Sequence, residues 1–319
     1  MSGVYLKDIR MKRESKSFAD SLHAVLTAAG MFEGPKYMLS GLTGMAFKFS
    51  VHERLLPLSV SAYGNWGDEH SPGVDNIGVL TIWDGGRSRH PTFRFYQQDA
   101  IRWVKRSLDE GVGVIYWLPE FGVIHGYDDE DRIFYIQDGY SSDDRIVLYD
   151  NFGLNFTEFW YARTFGGAVR VPLETMVLES VRLALHDWDT PYRTLPNTDI
   201  GSGRLAYSYL TQALRSGDYD EGGARYILSS FVYARDEIRR YLAEVAHLWP
   251  QLAEAGSRYG ELAGLFDGWS LENAQGLIGA LEQAAALEER AMELFRELSR
   301  QYPDPRRDTV PRWGISSAR

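Results

Sequence analysis

The sequence predicts an α+β protein: a mixed, sheet-containing N-terminal half followed by an all-α C-terminal half. Three observations lead there. Up to about residue 172 the chain mixes β-rich runs, aromatics and Gly-bearing turns. After residue 200 apolar residues recur at helical spacing. Between them, HDWDTPYRTLPNTDIGSG (186–203) gathers the turn formers expected of a connection. The predicted division is a mixed domain over 1–172, a linker over 173–202, a helical bundle over 203–303 and a loose polar tail over 304–319.

The elements follow in order. SFADSLHAVLTAA (17–29) suits a helix, because Phe18, Leu22, Val25 and Ala29 share a face and Gly30 stops it. Ser15 or Ser17 is the candidate cap. GMAFKFSVH (44–52) alternates like a strand, and 74–83 is open between strand and helix. Residues 96–110 read as a helix ending at Gly111. VGVIYWL (112–118), FGVIHGY (121–127), RIFYIQD (132–138) and RIVLYD (145–150) read as strands with turn chemistry between them.

In the second half Phe231, Ile238 and Val245 lie seven apart, as do Leu228, Arg235, Leu242 and Trp249. Leu252, Ala255, Tyr259, Leu262 and Phe266 alternate three and four apart. A last helix runs from a Ser270 cap through Leu277, Leu281, Ala284, Ala291, Leu294 and Leu298 to Pro303. The heptads are too few for a long coiled coil, so a packed bundle is expected. Phe231, Leu242, Val245, Leu262, Phe266, Leu281 and Leu294 should form its core.

Composition bounds the function. The chain has 319 residues, 44% hydrophobic and 24% charged, enough for two domains. A formal charge of −10 and a pI near 5.3 argue against nucleic acid or an anionic membrane as partner. Cysteine is absent, which removes disulfides, thiolate nucleophiles and Cys-ligated zinc together. The charged start MSGVYLKDIRMKRESKS has no apolar core of a secretory signal, and no run approaches the ~20 apolar residues of a membrane helix. A cytoplasmic location is expected.

Four stretches carry a resemblance: SKSFADSLHAVL (15–26), SGLTGMAFKF (40–49), PEFGVIHGYDDED (119–131), and GRLAYSYLTQAL (203–214) with GGARYILSSFVYARDEIRRYLAEVA (222–246). Together they resemble the family of butirosin-biosynthesis-protein-H-like proteins. That resemblance implies a papain-like (cysteine-peptidase-like) N-terminal domain, similar to the bacteriocin-processing peptidases, joined to an all-α helical C-terminal domain.

The departures bear on chemistry. Active members carry a Cys at the start of the first helix, where the helix N-terminus stabilises a thiolate. The position in register here is Lys16, or Ser17 with a slip of one. The family's His position, six before the Gly of the GYD turn, is Glu120, and the Asp at the end of the next strand is retained as Asp138. The candidate cleft residues are therefore Lys16, Ser17, Glu120 and Asp138, none of them a thiolate or an imidazolium. Strand alternation places Glu120, Gly122, Ile124 and Gly126 on one face and Phe121, Val123, His125 and Tyr127 on the other, unless a bulge intervenes. His125 is then a structural residue turned away from Glu120. A Lys16–Glu120 ion pair is expected to replace the thiolate–imidazolium pair and leave Ser17 without a base. A Lys16–Glu120 separation beyond ~4 Å, with Ser17 hydrogen-bonded instead to Glu120 or His125, would sink the non-catalytic reading and put a serine nucleophile first.

Other constellations are weaker. NWGDEHSPGVDN (65–76) gathers Asp68, Glu69, His70 and Asp75 and reads as a solvated loop rather than a metal site. DGGRSRH (84–90) lacks the Lys-Ser/Thr of a phosphate loop and reads as a turn. Tyr226, Tyr233, Tyr241 and Trp249 are core at helical spacing or, if exposed, a dimer face. No cofactor and no metal are expected. The resemblance, with its nucleophile and base replaced, implies a non-catalytic protein. It would bind a peptide-like or acyl ligand, or a carrier protein, in the former cleft, with a homodimer as the expected assembly. The alternative is an acyltransferase or amide hydrolase using Ser17.

Overall fold

The computed structural model describes residues 3–61, 66–192 and 198–304, with the side chains of 66–68 outside the description. Its elements are β1 (Gly3–Tyr5), α1 (Ser17–Ala28), α2 (Lys36–Leu42), β2 (Ser50–His52), α3 (Trp66–Asn76), β3 (Val79–Arg87), α4 (Phe93–Asp109), β4 (Val114–Leu118), β5 (Glu120–Asp128), β6 (Ile133–Gln137), β7 (Arg145–Leu148), β8 (Phe159–Ala168), α5 (Leu173–Asp189), β9 (Ile200–Ser202), α6 (Arg204–Ser216), α7 (Glu221–Val245), α8 (Pro250–Gly264) and α9 (Ala274–Gln301). They fall into two compact units, Met1–Leu39 with Gly78–Val169, and Ser40–Ile77 with Arg170–Arg319.

The first unit is a seven-stranded antiparallel sheet of order β3-β8-β4-β5-β6-β7, with β1 added beside the second half of β5. The sheet is covered on both faces. Ala100, Val104 and Leu108 of α4 pack on Val114, Tyr116, Leu118 and Ile124. On the opposite face Phe18 of α1 meets Phe121 edge-on at 5.3 Å. Two covered faces explain why all five residues of β4 are buried, giving a continuous apolar run rather than an alternating one. Pairing of β5 with β6 shifts between Ile124 and Gly126. This bulge puts Tyr127 in the same core as Ile124, so the expected alternation fails from His125 onward.

The second unit is helical apart from the short β2–β9 pair. Phe231, Leu242, Val245, Leu262, Phe266 and Leu281 are buried as expected. Leu294 is only half-buried, because α9 turns Ala291, Met292, Phe295 and Leu298 inward instead.

Several expectations are corrected. Most of the predicted linker, 173–202, is helix α5, whose Val177, Val181, Ala184 and Trp188 recur at helical spacing and are buried. Residues 40–77 group with the helical unit rather than with the first half. Within GMAFKFSVH only Ser50–His52 is strand; Met45, Ala46, Phe47 and Phe49 are all buried, which no one-sided strand achieves. NWGDEHSPGVDN is mostly helix α3, with His70 buried against the Ser61 carbonyl at 3.0 Å. Asp68's side chain lies outside the described residues, among which no His/Cys/Asp/Glu group suited to a metal occurs. Residues 84–87 of DGGRSRH extend β3. Residues 74–83 are half helix, half strand, split by a left-handed Gly78 (φ 77°). The tail after Asp304 lies outside the described residues. Among those described, no helix is long and apolar enough to cross a membrane.

Candidate functional site

Helix α1 begins at Ser17, with Lys16 extended just before it and making no side-chain cap bond. Neither Ser15 nor Ser17 caps the helix, contrary to expectation. The Ser17 hydroxyl instead crosses to the start of β5. It donates to the Glu120 carboxylate and accepts from the Phe121 backbone N–H at 3.2 Å. Ser17 thus lies opposite Glu120.

Arg13 faces Glu120, at 3.8 Å. Arg13 is held by Nη2 donation to the Phe121 and Asp138 carbonyls at 3.1 and 3.0 Å, and its guanidinium lies 4.9 Å from the Tyr140 ring centre. A second ionic group surrounds the same helix start: Lys36 reaches Asp20 at 2.7 Å, Glu14 at 3.5 Å and the Ser15 hydroxyl at 2.9 Å.

Asp138 contributes its carbonyl to Arg13, but its carboxylate serves a turn. Oδ1 accepts from the Tyr140 and Ser141 amides at 2.9 and 3.2 Å, and Oδ2 lies 3.7 Å from Arg145. A carboxylate satisfied by two amides of its own turn does not orient Glu120. The structure therefore brings Ser17 and Glu120 together, adds Arg13, and gives the Asp138 carboxylate a different task.

His125 stands apart from this group. It is buried, with Nε2 2.8 Å from Asp144 and Nδ1 3.2 Å from the Leu6 carbonyl. Tyr5 donates to the other Asp144 oxygen at 2.7 Å and packs edge-on against the imidazole. That bond to Asp144, with burial, raises the Tyr5 phenol above its ordinary range. His125 thereby ties β1 to the β6–β7 connection.

The chemistry available at Ser17 follows. Its proton is directed at a carboxylate, and one lone pair is occupied by an amide. Phe121 N–H, the nearest donor for a developing oxyanion, points at Ser17 itself. Ser17 is 2% exposed. Grooves of 360 Å³ (Leu185, Glu293, Arg296, Ser299, Arg300) and 260 Å³ (Glu261, Leu265, Gln283, Ala286, Leu287, Arg290) lie on the helical unit, and Ser17 lines neither.

Sequence reasoning missed Arg13. The available signal was the basic run RMKRESK, which ends one residue before the helix that faces a strand Glu. It missed β1 as well, whose three residues are too few to show a period.

Compared with known proteins, the chain matches no family model and no curated sequence.

Proposed function

We propose that this protein is a degenerate, non-catalytic relative of papain-like proteins, similar to the butirosin-biosynthesis-protein-H-like family. In this reading the region around Ser17, Glu120 and Arg13 is a former active-site cleft. It holds a peptide-like or acylated ligand, or a carrier protein, in the cytoplasm, within the secondary-metabolite biosynthesis that the resemblance implies. What supports the coarse reading is the absence of cysteine from the whole chain, which excludes the thiolate chemistry of such sites. The observation that carries the inert reading is the burial of the Ser17 hydroxyl, whose proton goes to Glu120 while one of its two lone pairs accepts from Phe121. One half of the outcome set against this reading is present, since Ser17 bonds to Glu120.

A second reading is favoured by the same hydrogen bond. Ser17 beside Glu120 is a hydroxyl next to a base, the minimum of an acyltransferase or amide hydrolase. Against it stands the burial of Ser17, which is 2% exposed. Acyl-thioesters of a carrier protein separate the two readings. The non-catalytic reading expects saturable binding, weakened in Arg13→Ala, with no acyl release above background. Turnover abolished by Ser17→Ala would replace it with the serine mechanism.

A further inference from the structure

The sheet of the first unit ends at β7, which among the described residues pairs with β6 alone. We propose that this edge is an interface between two copies of the chain, formed by antiparallel β7–β7 pairing about a twofold axis at Val147.

The hydrogen-bond phase of β7 points outward at the right residues. Tyr149 N–H is bonded inward, to the Arg132 carbonyl at 2.8 Å. Backbone groups of an antiparallel strand alternate sides, so Arg145, Val147 and Tyr149 face β6 and Ile146 and Leu148 face outward. These outward residues are also the apolar ones left in solvent, Ile146 at 60% and Leu148 at 48% exposure. Val147, opposite Phe134, packs instead toward the core.

Self-pairing about Val147 satisfies both requirements at once. A twofold axis perpendicular to the sheet places Val147 opposite its own copy and Ile146 opposite Leu148 of the second copy. Ile146 and Leu148 then exchange their free N–H and C=O groups as hydrogen-bonded pairs, and their side chains meet on one face. Arg145 comes opposite the second copy's Tyr149 on the other face. Pairing ends near Leu148, because Tyr149–Asn151 turn into a 3-10 helix.

The edge is short and its one charged residue is Arg145. It has no proline, no bulge and no lysine. The opposite edge, β3, has an irregular register between Val79 and Thr81, Asp84 and two consecutive glycines. Four-residue edges bury far less than the roughly 1,200–2,000 Å² of a stable complex, so the dimer is weak and reversible. The proposal is independent of the chemistry at Ser17.

The natural absence of cysteine gives a clean test. Non-hydrogen-bonded antiparallel partners stand ~4.5 Å apart at Cα, within disulfide range. Val147→Cys should form a disulfide dimer under mild oxidation. Ile146→Cys, opposite Leu148 rather than itself, should not, whereas Ile146→Cys with Leu148→Cys should. For the unmodified chain, sedimentation equilibrium from about 1 μM to about 1 mM should show reversible dimerisation. Ile146→Lys, a change at an exposed position, should weaken it about ten-fold or more. A monomer throughout that range would overturn the proposal. So would self-crosslinking of Ile146→Cys without Val147→Cys, a dimer indifferent to Ile146→Lys, or an edge occupied only by an added extended peptide.

Discussion

Two guanidinium–carboxylate clusters, one in each unit, invite comparison. In the helical unit Arg235 and Glu288 are each 1% exposed and 2.9 Å apart. Arg235 donates twice through Nη2, Tyr207 and Tyr259 add their hydroxyls to the same carboxylate, and Phe49 and Phe231 cover the guanidinium. One carboxylate thus joins α6, α7, α8 and α9. In the sheet unit Arg13 and Glu120 stand 3.8 Å apart with side chains 11% and 18% exposed, and a serine takes the carboxylate's closest bond. The first cluster is closed, with the Glu288 carboxylate bonded from three residues although Arg235 Nη1 is buried without a hydrogen-bond partner. The second is looser and nearer solvent, with an alcohol at its centre. Burial depth and directness of pairing, rather than residue type, separate a structural node from a candidate site.

The comparison breaks most visibly at the helical node. Glu288→Ala leaves a buried guanidinium without its counter-charge and should cost about 3–5 kcal/mol. The paired change Arg235→Met with Glu288→Met should cost much less, because no buried charge remains. Denaturant unfolding of the single and double variants measures the difference. Equal losses would mean that the node is not a matched ion pair.

Alkaline pH probes the same node. Burial, then the Glu288 charge, raises the phenols of Tyr207 and Tyr259 well above their ordinary value near 10. A folded-state pKa raised for an acid means that the unfolded chain releases its proton first. The unfolded state binds fewer protons above pH ~10, so stability is constant below that pH and falls as pH rises through it. Ultraviolet titration should show these tyrosines silent near pH 10 and ionising only with unfolding. Tyr207→Phe and Tyr259→Phe should flatten the alkaline loss.

The sheet-unit cluster should respond less. Arg13→Ala and Glu120→Gln each remove a loose ion pair and should cost about 1 kcal/mol or less, read from the urea midpoint. A loss equal to that of Glu288→Ala would erase the distinction drawn between the two clusters.

What the sequence could show divides along similar lines. Helix α1, four neighbouring strands and most of the helical core were legible, because apolar period and turn residues are local signals. Arg235 lay in plain view in an otherwise apolar heptad row, and a charge in such a row is the mark of a buried partner. Helix α5 was hidden because the turn formers of 186–203 drew the linker back over its apolar stripe. The bulge at His125 was hidden because it depends on which strand lies alongside. The site was half legible: Ser17 and Glu120, 103 residues apart, were both expected in one cleft and are hydrogen-bonded. Arg13 was not, since nothing local tells a basic run which carboxylate it will meet.

The central claim is that the Ser17 hydroxyl is spent in structure and inert. A fluorophosphonate probe with peptide-level mass spectrometry tests it most directly, since it modifies only a serine made nucleophilic by a neighbouring base. The account predicts no adduct on Ser17, in the protein alone or with an acyl-carrier ligand present. An adduct on Ser17 that disappears in Glu120→Gln would contradict it and establish the serine nucleophile.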